Sequence, residues 1–157
     1  MSINVKVKKL NQDAIVPSYA KEGDSGIDLY TLKDTVIPAK SAVAISTGIA
    51  LEIPFGYEMQ VRPRSGISLN GIEGMFFLNA KTTRIYETVR FGTVDSGYRG
   101  EIKIITYNEE DFEIVIPKYT KLAQGVFQQV SRAILKVVDE LTSSERGDNG
   151  FGSTGIR

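Results

Sequence analysis

Five stretches of the chain carry residues whose types and spacing suit chemistry on an anion. In "VRPRSGIS", Arg64 and Ser65 precede Gly66 and Ile67. A guanidinium, a hydroxyl and two backbone N–H groups beside a glycine can form a small anion nest. The same letters also suit a helix start capped by its serine. In "FGTVDSGYRGEI", Asp95 and Tyr98 fall at what reads as the tip of a β-hairpin. Turn chemistry alone asks for Asp and Gly there, but a carboxylate able to hold a water, next to a flat ring able to hold a sugar or base, suggests a site. "DSGIDLYT" sets Asp28 on an otherwise apolar strand, where capping a turn is the competing role. "KYTKLAQGVF" sets Gln124 among apolar residues, a place that solvent-facing strand glutamines also occupy. The last stretch, "ERGDNGFGSTGIR", holds Arg146, Ser153, Thr154 and many backbone amides, the makings of a phosphate cradle. Glycine-rich tails are commonly disordered, yet Phe151, set between two glycines, is a side chain with something to cover.

What the chain lacks narrows the chemistry further. It contains no histidine, cysteine or tryptophan. That excludes a Ser-His-Asp triad, an imidazole base, histidine or thiolate metal sites and disulfides. A general base must then be a carboxylate, a lysine or a tyrosine. Lys and Arg number 19 and Asp and Glu 19, so no net field draws the protein onto nucleic acid or membrane. The N-terminal "MSINVKVKKL" has no long apolar run, and no segment approaches membrane-spanning length, which points to the cytoplasm.

The elements that must position these residues read as strands. Ile3, Val5 and Val7 alternate with polar partners, and Val43, Ile45, Thr47, Ile49, Leu51 and Ile53 with small or polar ones. The same period of two returns in "GYEMQVRP", "EIKIITY", "DFEIVIP" and "KLAQGVFQQV". Prolines and glycines punctuate these runs, predicting an all-β domain of short strands and tight turns. The one helical turn expected follows Arg64. At 157 residues the chain suits a single domain, and its strand edges invite association of subunits.

Taken in order, "SGIDL", "PRSG", "GTVDSGYRGE", "KLAQ" and "RGDNGFGSTG" resemble the five motifs of the trimeric deoxyuridine triphosphatase (dUTPase) family. The resemblance runs over nearly the whole chain. It implies an all-β, jelly-roll-like subunit in a homotrimer whose three active sites each draw on all three chains. It also implies Mg²⁺-dependent hydrolysis of dUTP to dUMP and pyrophosphate. In that scheme Asp95 activates the water that attacks the α-phosphorus. Tyr98 packs on the deoxyribose, and the hairpin carrying Gly92 and Val94 reads uracil with its backbone. Arg64, Ser65, Gly66 and Gln124 surround the phosphates and the attacking water, and Asp28 reaches Mg²⁺ through water. Lys121 stands where many relatives carry arginine. Residues 1–145 would form the domain and residues 146–157 a flexible arm, in which Arg146, Gly152, Ser153 and Thr154 bind phosphate while Phe151 stacks over the uracil.

The resemblance is weakest between Ser65 and Asp95, where the chain carries an expected insertion near residues 70–90. Six positions before Asp95 the family commonly has an asparagine that helps recognise uracil; Val89 stands there, and Asn79 is the candidate replacement. The inserted "NAKTTRIYETV" reads as a longer solvent loop or as an extended hairpin for a protein partner. Phe76 and Phe77 are expected to be packed. Two rival functions remain at this point: a dCTP deaminase-type enzyme of the same superfamily, and a nucleotide-gated regulatory protein on the same fold.

Overall fold

A computed structural model describes residues 2–75, 82–86 and 88–150. Strands β1 (Lys6–Lys9), β2 (Ile27–Tyr30), β3 (Thr35–Ile37), β4 (Ala42–Glu52) and β5 (Tyr57–Pro63) precede α1 (Ser65–Asn70), the only helix among the described residues. Strands β6 (Ile72–Met75), β7 (Thr82–Ile85), β8 (Thr88–Val89), β9 (Gly92–Asp95), β10 (Glu101–Tyr107), β11 (Ile114–Ile116) and β12 (Lys121–Gln129) follow. They form three four-stranded antiparallel sheets, ordered β1-β4-β10-β8, β3-β11-β6-β7 and β2-β12-β5-β9. The all-β architecture expected from the alternating pattern, jelly-roll-like as the resemblance implies, is the one observed.

Alternation along each strand sends one set of side chains into a shared core. Along β5, Met59 and Val61 are buried while Glu58, Gln60 and Arg62 are only partly covered. Leu29, Ile45, Ile49, Ile104, Ile114 and Leu122 bring the other strands to the same core. Each such side chain contributes about 1.5–3 kcal/mol. Val89 lies in that core at 4% exposure, so the position where the family commonly places a uracil-reading amide is spent here on packing.

Two expectations change. The stretch from Phe91 to Ile102 is no hairpin: β9 is hydrogen-bonded to β5, whereas β10 is bonded to β4 and β8. The turn at Asp95–Tyr98 therefore carries the chain from one sheet to another. Strict alternation fixes which face a residue takes and leaves its partner strand open. The insertion is also more regular than a solvent loop, because β6 and β7 pair from Ile72↔Ile85 to Met75↔Thr82 and β6 joins β11 at Val115↔Met75. Phe76, Phe77 and Asn79 lie outside the described residues.

A single buried amide ties the connection between β10 and β11 to the end of β3. Asn108 is fully buried; its NH₂ group is shared among the carbonyls of Ile37 (3.1 Å), Pro38 (3.1 Å) and Phe112 (2.7 Å), and its Oδ1 accepts from the Glu110 N–H at 2.9 Å. Asn108→Ala would leave these groups without their partner in a dry site. We expect a loss of about 2–3 kcal/mol, read as a thermal unfolding midpoint about 5–10 °C lower at fixed protein concentration.

Candidate functional site

The predicted site residues gather into two clusters. The first surrounds Asp28, which β2 carries inward to 6% exposure. Its carboxylate is clasped on both sides: Arg64 Nε lies 3.1 Å from Oδ1 and Lys121 Nζ 3.0 Å from Oδ2. Arg64 also donates through Nη1 to the Lys121 carbonyl at 3.0 Å, closing the triangle. Gln124 pairs in register with both Asp28 and Arg62 and donates to the Pro63 carbonyl at 2.8 Å. Gly26 is needed beside it, since a Cβ there would fall 2.6 Å from Gln124 Oε1.

Arg64 is the N-cap of α1, in extended conformation and without a side-chain capping bond. The serine-capped start is thereby corrected: Ser65 is already helical, and the residue ahead of it spends its side chain on Asp28. The first intrahelical bond runs from the Ser68 N–H to the Arg64 carbonyl (2.9 Å). The N–H groups of Ser65, Gly66 and Ile67 come before that bond and face no helical acceptor. Together with Asp24 and Ser25, which the motif reading missed, these residues line a cleft of about 290 Å³. The "GDSG" run ahead of Asp28 was the available signal, because loop acids and serines beside a strand aspartate are candidates for the same pocket.

Lys121 has a role that spacing did not reveal. Its hydrogen bond to Asp28, then that to Tyr30, raises its pKa above the ordinary lysine range. The ammonium also lies 5.6 Å from the Tyr30 ring centroid.

The second cluster sits at the other end of the same sheet. Asp95 ends β9, Tyr98 follows through a turn closed by its own N–H to the Asp95 carbonyl (3.0 Å), and Tyr98 Oη donates to the Glu101 carbonyl (3.1 Å). With Gly92, Thr93 and Val61 they line a cleft of about 250 Å³. Val94 points its side chain toward the core at 9% exposure, so only its backbone is available to a ligand. A further cleft of about 410 Å³ borders Asp95 on its other side, with Glu58, Phe55 and Arg132.

The two clusters lie apart along β5. Asp95 pairs with Glu58, and Arg64 follows the far end of β5. Six residue steps of strand separate them, about 20 Å.

Beyond β12 the chain leaves the body. The Val130 N–H to Gly56 carbonyl bond (2.8 Å) holds it at its departure. From residue 131 to 150 there is no helix or strand, and Ile134 (99%), Leu135 (91%), Val137 (99%) and Leu141 (89%) are exposed. Arg146 is exposed too, its Nε donating to the Asn149 carbonyl at 3.0 Å. Phe151, Gly152, Ser153 and Thr154 lie outside the described residues.

Residues 12–155 match the family model for dUTPase. The chain belongs to the dUTPase family. It is 44% identical over 153 residues to the deoxyuridine 5'-triphosphate nucleotidohydrolase of Clostridioides difficile, covering 98% of this chain and 99% of that one. With the enzyme of the same name from Clostridium acetobutylicum it shares 42% identity over 155 residues, 99% of either chain. Among solved structures it is similar to Staphylococcus bacteriophage 80alpha dUTPase with dUPNHPP: TM-score 0.84, 25% identity, 99% of this chain and 100% of that one. A phage phi11 dUTPase described for its coordination of a structural Mg(II) ion shares the fold, with TM-score 0.75 and 22% identity over 88% of this chain and 98% of that one.

The clasp predicts a pH dependence. The pKa of Lys121 is raised on folding, so its contribution is fully present below the unfolded lysine value and is lost as pH rises through the folded one. The thermal midpoint should fall above about pH 10.5. That alkaline limb should be shallower in Lys121→Met, with the gap between the two proteins constant below that window and narrowing through it.

Proposed function

We propose that the protein hydrolyses dUTP to dUMP and pyrophosphate, in a homotrimer whose sites each join the two clusters from different copies. The observation that carries the shared-site reading is the separation of the clusters along β5. A nucleotide bound with its nucleoside against Gly92 and Tyr98 needs a phosphate nest much nearer than its own chain supplies. The exposed aliphatic arm supports the same reading, because its side chains need a surface that another copy can offer.

In this reading the Asp95 carboxylate accepts a proton from a water at the α-phosphorus. The oxygen attacks in line and pyrophosphate departs with the electrons of the broken P–O bond. Little covalent work is asked of the protein in such a displacement, which depends on alignment and charge neutralisation. The Asp28 clasp is suited to the second task. One carboxylate fixes two cations, so that the Asp28, Arg64 and Lys121 triad carries one net positive charge next to Ser65, Gly66 and Ile67, with Asp24 lining the same cleft. Gln124, held by the Pro63 carbonyl, is placed to orient a phosphate oxygen or the water. The carboxyamide and the hydroxyl of Ser65 offer donors without further charge.

The residues fit Mg²⁺ only as partners of its water shell. Among the described residues there is no group of three carboxylate, histidine or cysteine ligands, and both Asp28 oxygens already face cations. A hydrated ion carried on the triphosphate, touching Asp28 through water, meets that constraint. When bound it supplies charge neutralisation on the phosphate oxygens. Arg146, Gly152, Ser153 and Thr154 of the arm bind the distal phosphates, and Phe151 covers the base, so that closure excludes water from the reacting centre. The domain ends with β12, ahead of the expected boundary at residue 145; residues 131–145 lead away from it and residues 146–157 form the closing end of the arm. Among the described residues no helix is long and apolar enough to cross a membrane, in keeping with a cytoplasmic nucleotide enzyme.

Pyrophosphate release should be fastest with dUTP and much slower with dCTP, dTTP and UTP. Asp95→Asn should lower kcat by about 10²–10⁴-fold while the Kd for dUTP changes only severalfold. Turnover that survives the substitution removes Asp95 as base, and ammonia released from dCTP would favour deamination instead. Deleting residues 146–157 should abolish most turnover while light scattering still reports three chains. Undiminished activity would remove the arm from the site.

A further inference from the structure

The turn that carries Tyr98 is braced by two residues that the phosphate chemistry does not use. Gly97 and Gly100 lie on either side of Tyr98, but only one is pressed upon: nothing lies within 4 Å of a Cβ at Gly97, whereas a Cβ at Gly100 would fall 2.6 Å from Tyr98 Cζ and 3.0 Å from Cε2. The backbone of Gly100 is not in the left-handed region, so conformational freedom does not explain its identity. The Tyr98 side chain does: its phenol end occupies the space a Cβ on Gly100 would need, and the residue is 47% exposed beside the cleft.

Glu101 fixes the far end of that brace. The β10–β4 ladder slips between Glu101↔Ala50 and Lys103↔Ser46, interrupting the regular pairing opposite Gly48. The Glu101 carboxylate fills the break, with Oε1 accepting from the Gly48 N–H at 2.9 Å and Oε2 lying 3.4 Å from Ser46 Oγ. Lys103 Nζ lies 3.9 Å from Oε2. The strand is pinned there because Gly48 has a φ of +73° and a Cβ on it would meet Ala14 Cβ at 2.8 Å. The carbonyl of this anchored residue takes the Tyr98 hydroxyl. Strand β4, Glu101, Tyr98 and Gly100 thus form one continuous support for the ring.

We propose that Gly100 and Glu101 are positioning residues that hold Tyr98 at a fixed height over the nucleoside cleft, and that this hold sets discrimination between deoxyribose and ribose. The inference rests on the dUTP reading for its ligand. A wall that cannot retreat leaves no room for an added hydroxyl, whereas a wall free to tilt admits it.

The test separates the brace from the reaction. In tyrosine-labelled protein, Gly100→Ala should shift the Tyr98 ring resonances without any ligand present, and Glu101→Ala should do the same. Glu101→Gln, which keeps an acceptor for the Gly48 N–H, should leave them close to wild type. In turnover, the ratio of kcat/KM for dUTP over UTP should fall at least about tenfold in Gly100→Ala and Glu101→Ala, with Glu101→Gln near the wild-type ratio. Unchanged ring resonances in Gly100→Ala overturn the brace. Shifted resonances with an unchanged dUTP-to-UTP ratio overturn its role in sugar selection. A wild type that hydrolyses neither nucleotide overturns that role and the dUTP reading together, while the resonances still decide the brace. A change in unfolding midpoint common to all three variants would not by itself move the ratio, so it does not count as support.

Discussion

The site depends on one strand being hydrogen-bonded along both edges. Strand β5 lies between β12 and β9, and its register with each is continuous: Ala123↔Pro63 to Gln129↔Tyr57 on one side and Glu58↔Asp95 to Val61↔Gly92 on the other. A slip of one residue would turn Met59 and Val61 out of the core and bury Gln60 and Arg62. The hydrophobic pattern therefore locks the positions of polar residues that never enter the core. Asp95 is fixed at one end of β5 and Arg64 at the other. Two half-sites facing apart follow from that register, and the case for several copies sharing each site follows from the half-sites.

The halves are built on different physics. The phosphate half concentrates charge in a molecule with none to spare overall, since acidic and basic residues balance at 19 each. Clasping Asp28 between Arg64 and Lys121 keeps two cations fixed in place, at the cost of burying one carboxylate. Such a buried group is tolerated because both of its oxygens are paired. On the proposed reading the nucleoside half recognises a neutral base and sugar with shape and backbone: a turn between two sheets, a tyrosine, and a valine whose side chain belongs to the core. Selection there would then depend on rigidity more than on charge, the reason a braced ring would matter.

The sequence made the strands and most of the site legible because alternation and turn residues are local properties. Period-two runs mark β4, β5, β10 and β12 closely, and the motif residues Asp28, Arg64, Ser65, Gly66 and Gln124 do converge on one cleft. Pairing was less legible. The stretch around Asp95 has the letters of a hairpin, yet its two strands are taken by different sheets, a choice made by the distant strands β5 and β4. Lys121 as the second clasp on Asp28 depends on the β12–β2 pairing, which no window of sequence contains. The support beneath Tyr98 was hidden for the same reason: Glu101 acts on Gly48, 53 residues away. The region around residues 70–90 reads as loop-like because its apolar residues do not alternate cleanly, while its pairing to β11 draws on a strand that comes later in the chain.

The arm completes the argument from the opposite direction. A chain that buries Leu29, Ile49 and Ile104 almost perfectly leaves Ile134, Leu135, Val137 and Leu141 nearly bare along twenty residues without regular structure. Covering each side chain is worth about 1.5–3 kcal/mol, so together they could offset much of the entropy lost when the segment is fixed. Own-chain packing does not collect that energy, since all four side chains stay exposed. A second copy can. An arm laid across a neighbour would carry Arg146 and the residues after it to a site formed elsewhere, and this accords with half-sites too far apart to meet in one subunit.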